Sequence, residues 1–141
     1  MLEKAEDLKI GVVSCSGEDC LGGTISRLAI RKMLDEVRPD QTVTICLPLY
    51  IAGGQEERMF AKEFPTIAVD GCSKACAKRA TEKYSGKVNS VVFVSDIIGD
   101  ELAESSALST RDLTAGHAAM VEKVVAVVTQ QFDEILNRNP K

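Results

Sequence analysis

Four short runs of apolar, largely β-branched residues punctuate the chain, at 9–15, 42–47, 66–70 and 90–95. Each is apolar nearly throughout rather than alternating, the pattern of a parallel strand covered on both faces. Between the runs the period lengthens. Ile25, Leu28, Ala29, Met33 and Val37 share one face of a helix predicted over 24–37. Arg27, Arg31, Lys32, Asp35 and Glu36 take the other face, and Pro39 ends it. A shorter helix is expected over 54–64, stopped by Pro65, and another from near Ser73, a candidate N-cap, to just before Gly86. The longest helix begins between Leu113 and His117 and runs to about Asn137, with Val121, Val124, Val125, Val128, Phe132, Ile135 and Leu136 as its buried stripe. Residues 97–112 show no clear period and read as a loop with at most one short turn.

Strand–helix alternation of this kind predicts an α/β fold: a single three-layer, Rossmann-like domain over residues 1–141, with about four parallel strands and helices on both faces. Open parallel sheets bind ligands beyond the carboxyl ends of their strands, at the point where the strand order reverses. If the first strand is central, with the second and third on either side, the ends of three runs become neighbours about 4.8 Å apart.

Those ends carry thiols. Cys15 closes the first run, Cys46 the second and Cys72 the third, and Cys76 follows four residues later in Asp70-Gly71-Cys72-Ser73-Lys74-Ala75-Cys76. Zinc takes four thiolate or imidazole ligands in a tetrahedron. Cys76 would fall in the first turn of a helix, where the dipole favours thiolate. Lys74, Lys78 and Arg79 would offset part of the −2 charge of a four-thiolate zinc site. The bland alternative is that the cysteines are buried small hydrophobes. Two chemical alternatives use the same side chains: thiol redox or sulfur transfer with Cys72 or Cys76 as a reactive thiol, and an iron–sulfur cluster.

Ser14-Cys15-Ser16-Gly17, the strand ending Cys46-Leu47, and above all Asp70-Gly71-Cys72-x-x-x-Cys76-Ala77-Lys78 resemble the DGC-domain family, named for Asp-Gly-Cys and described as zinc-binding. The resemblance spans about residues 9–137. It implies that Cys15, Cys46, Cys72 and Cys76 are the metal ligands and zinc the cofactor, and it leaves catalytic residues and any substrate undefined. Cys20 lies outside that pattern, as a substitute for Cys15 or a free thiol. A phosphatase-type phosphate loop is excluded, because the position six after Cys15 is Leu21 and six after Cys20 is Ser26, where an arginine is required. Gly17, Gly22 and Gly23 read either as an anion cradle or as a tight turn. His117, the single histidine, reads as a ligand or as a surface or capping residue; Asp70 and Asp96 stand at strand ends as candidate functional carboxylates.

Composition narrows the partners. A net charge of −4 without long runs gives no footprint for nucleic acid. No stretch has the ~18 apolar residues that span a bilayer, and Met1–Asp7, charged with both signs, does not resemble a signal peptide. The expected location is therefore cytoplasmic, a reducing compartment in which five cysteines point to metal or thiol chemistry rather than disulfides. A protein partner, a small-molecule substrate and a homo-oligomer all stay open.

Overall fold

The computed structural model describes residues 8–138, and the reading of Met1–Asp7 lies outside them. The chain runs β1 (Ile10–Ser14), α1 (Leu21–Lys32, extended by a π-helical turn over Met33–Val37), β2 (Thr42–Val43), and three single turns α2 (Leu49–Ala52), α3 (Gln55–Arg58) and α4 (Phe60–Glu63). It continues through β3 (Thr66–Asp70), α5 (Cys76–Tyr84), β4 (Ser90–Phe93), α6 (Val94–Ile98), α7 (Asp100–Ala103), a 3-10 turn over Thr110–Asp112, and α8 (Ala115–Arg138).

The four strands form one all-parallel sheet in the order β2-β1-β3-β4. β1 and β3 are its centre and are buried along their whole length. In a parallel strand successive side chains face opposite layers, and the core divides accordingly. Ile10, Val12, Ile67, Val69 and Val92 pack with α1 and α8 through Ile25, Ala29, Met33, Val121, Val124, Val128 and Phe132. Val13 and Ala68 point the other way, to Tyr50, Phe60 and Ala77. The sheet is thus a middle layer with a helical layer on each side, as the sequence pattern predicts.

Several boundaries differ, each for a local reason. β2 is two residues long instead of six: it pairs only through Thr42 and Val43, and Thr44 to Cys46 leave the sheet edge unpaired before the turn at Pro48. The apolar run of β4 stops at Phe93, and Val94 and Ser95 open a helix instead. Residues 97–112, expected as a loop, hold the end of α6, all of α7 and a 3-10 turn, elements too short to display a period. α1 begins at Leu21, three residues before the expected start at 24. The helix expected over 54–64 is two turns separated at Met59. Among the described residues no helix is long and apolar enough to cross a membrane.

Tyr50 anchors the turns α2–α4 to the sheet. It is fully buried; its hydroxyl accepts from Thr81 at 3.3 Å and its carbonyl accepts from Arg58 Nε at 2.8 Å. Burial pushes the phenol above its ordinary value of 10.0, with the Thr81 bond acting the other way. In alkali the unfolded chain therefore ionises Tyr50 before the folded protein does, and stability falls as pH rises through that window. Tyr50→Phe should lose about 0.5–1.5 kcal/mol at neutral pH with the hydroxyl contact. The same variant should show a shallower decline above about pH 10; urea denaturation across that range measures both effects.

Candidate metal centre

β1 and β3 are adjacent, and the chain leaves β1 toward β2 on one side before returning to β3 on the other. The strand order therefore reverses between the carboxyl ends of β1 and β3, where open α/β sheets place their ligands. Cys15 follows β1 directly, and its backbone N–H continues the ladder to Val69 at 3.1 Å. Its sulfur accepts from Gly71 N–H at 3.2 Å and lies 3.6 Å from the Ser26 hydroxyl. The thiol is thus oriented by the turn that carries Cys72.

That turn is shaped by Asp70, Gly71 and Ala75. Asp70 is buried at the end of β3. Its carboxylate accepts from Ala77 N–H at 2.6 Å and from Lys78 N–H at 3.2 Å, so it caps the start of α5 from seven and eight residues away. Ser73, the expected N-cap, takes no part; the residue at that position is Ala75, in left-handed conformation at φ 57°. Burial raises the Asp70 pKa, while the two N–H donors and the Lys78 ammonium lower it. Gly71 lies against the first turn of α1. A Cβ on Gly71 would stand 2.6 Å from the Gly22 carbonyl carbon and the Gly23 nitrogen, and one on Gly22 would stand 2.5 Å from the Gly71 oxygen. Gly23 is pressed in the same way on Gly17. These glycines serve backbone-to-backbone packing, the tight-turn alternative to an anion cradle.

The outcome is a cavity of about 260 Å³ lined by Cys15, Cys20, Cys72 and Cys76, with Asp19, Lys74 and Glu104 on its rim. Cys46 does not line it. Cys46 is exposed and lines, with Cys15, a separate cavity of about 420 Å³ on the β2 side, where Ser14, Ser16 and Arg27 also stand. Neither Arg27 nor Glu104 carries a sequence signal for these positions; Glu104 lies in the stretch expected as a loop. His117 is spent on helix capping, its Nδ1 accepting from Thr114 N–H at 2.9 Å. Asp96 is exposed on α6.

All five cysteines are free thiols. Burial pushes the Cys76 thiol above its ordinary value of 9.0; Cys15, Asp70 and Cys72 push it the same way and Lys74 opposes them. The helix-dipole expectation of a thiolate at Cys76 is outweighed here, which counts against Cys76 as a resting nucleophile. The donor set suits a thiophilic cation, since four soft ligands surround one cavity with room between them. They surround it without converging: among the described residues no group of three or more His, Cys, Asp and Glu side chains is drawn close enough to hold an ion. Coordination therefore requires the thiols to turn inward.

Residues 11–128 match the DGC domain. The chain belongs to the DGC domain family. Comparison with curated proteins and with solved structures gives no match. In this DGC domain the three letters of the motif separate physically: the aspartate caps a helix, the glycine admits a neighbouring backbone, and the cysteine faces the cavity. Asp70→Ala should destabilise the protein by about 1–3 kcal/mol, the cost of leaving buried N–H groups unpaired. Gly71→Ala, which forces backbone off backbone, should lose a similar ~1–3 kcal/mol. Equal urea midpoints for wild type and either variant would contradict this account of the turn.

Proposed function

We propose that this domain binds one zinc ion at the carboxyl ends of β1 and β3, on a site built from Cys15, Cys72 and Cys76 with a fourth thiol. The observation that carries the reading is the gathering of four cysteines, from two separate segments of the chain, around one cavity at the reversal point of the sheet. Chance burial of small hydrophobes does not account for half-exposed thiols at a ligand-binding position. The family pattern offers Cys46 as the fourth sulfur, and the cavity offers Cys20. A site whose four positions are all filled by protein is structural or regulatory, because catalytic zinc keeps one position open. Lys74, on the rim, offsets part of the negative charge that four thiolates and a dication leave.

Metal analysis of the full chain purified without added zinc should give about one equivalent, and Cys72→Ser should abolish it. Thiols give up protons on coordination, so retention should weaken as pH falls. Metal-free protein of undiminished thermal stability, or stoichiometric zinc in Cys72→Ser, would overturn the proposal.

A further inference from the structure

We infer that the cavity on the β2 side binds a small organic anion, with a carboxylate or phosphate head and a compact apolar body. The inference stands apart from the zinc reading, because arginines rather than thiols supply the recognition.

The sheet creates the space. β1 runs beside β3 as far as Ser14, but beside β2 only as far as Gly11. Residues 44–48 leave the edge, and between them, the end of β1 and α1 lies the cavity of about 420 Å³, a small-molecule size. Along β1 the backbone donors alternate between neighbours. Ile10 donates toward β2, to the Gln41 carbonyl, whereas Gly11 and Cys15 donate toward β3, to Pro65 and Val69. By that alternation the Ser14 N–H faces the β2 side, where no strand among the described residues pairs with it. The buried Ser14 hydroxyl lies 2.5 Å from that of Ser16, a residue in left-handed backbone at φ 50°. When one of two hydroxyls donates to the other, the second keeps its own proton for a ligand.

The charge comes from α1. Arg27, Ile30 and Arg31 share one helix face by their i, i+3, i+4 spacing, and all three line the cavity. Arg27 has no hydrogen-bond or ion-pair partner among the described residues. Arg31 donates to Asp35 at 2.8 Å in an exposed pair, which is weak in water and can yield to a ligand. No acidic side chain stands among the described residues of the lining, although the whole chain carries a net charge of −4. A guanidinium fork matches the paired oxygens of a carboxylate or phosphate. Ile45, Leu47 and Pro48 complete the lining with apolar surface, which suits a ligand body rather than a second charge. Cys15 and Cys46 also line the cavity, so the ligand would border thiols of the family's metal pattern.

Calorimetric titration of the full chain with phenyl phosphate and with benzoate tests the assignment. At least one should bind with a dissociation constant below about 1 mM, and the tighter of the two identifies the head. Inorganic phosphate (head without body) and benzyl alcohol (body without head) should each bind at least ~10-fold more weakly. Arg27→Met keeps the apolar stem at an exposed position and should weaken the organic anion by ~10–100-fold. Arg79→Met, on α5, should leave binding at the wild-type level. No binding of either organic anion, or inorganic phosphate bound as tightly as both, overturns the inference. So does undiminished binding in Arg27→Met. If that undiminished binding disappears on chelation of zinc, the anion sits on the metal, and the zinc reading stands while this one falls.

Discussion

The contact between Gly22 and Gly71 is the constraint on which the site depends. Two backbone segments, one opening α1 and one leaving β3, approach so closely that neither has space for a Cβ. Their closeness brings the loop after β1 and the turn after β3 into one structure. Gly71 N–H can then reach the Cys15 sulfur, and Cys20 and Cys72 come to face the same cavity. The sheet supplies parallel neighbours, but a sheet alone leaves each strand end to its own loop. The glycine pair makes the loops common.

Around that contact the polar groups are arranged to hold the turn rather than to react. Asp70 is the clearest case. A carboxylate at the end of a central strand invites a catalytic reading, yet both its oxygens are committed to N–H groups at the start of α5. Burial would otherwise be expensive for such a group, and the helix terminus is what makes it tolerable. The raised Cys76 pKa belongs to the same local field, in which half-exposed thiols and a buried carboxylate lie together with Lys74 as the opposing charge. Such an arrangement holds Cys76 as a thiol rather than as a resting nucleophile.

Much of the architecture was legible in the hydrophobic pattern, because the strands and helices that bury both faces must declare themselves. β1, β3 and the stripe of α8 are of this kind, whereas the central place of β1 stood in the sequence only as a condition and is fixed by its pairing with both β2 and β3. Edges and short turns were not legible. A run such as Thr42–Leu47 looks like a strand whether or not a neighbour exists to pair with it, and only two of its residues find one. Val94 and Ser95 have strand-like neighbours in sequence but are drawn into helix by their packing. At the site, Cys15 and Cys72 were legible as strand-end thiols and Cys76 as a thiol in the first turn of the following helix. The placement of Cys20 was not, because it depends on glycines that read locally as a turn and act across fifty residues as a spacer.

Among the described residues, two that are not glycine adopt left-handed backbone, Ser16 and Ala75, and each adjoins a cavity cysteine, Cys15 or Cys76. Glycine would fit either position without steric penalty, as it does at most such turns. A side chain there adds strain of order 1–2 kcal/mol, but it also removes conformations from the unfolded chain that glycine would retain. The two thiols are therefore carried on backbone with less freedom to wander than glycine would allow. Part of the ordering of these two loops is thus accomplished when the chain folds, at positions where glycine would have left more configurational freedom.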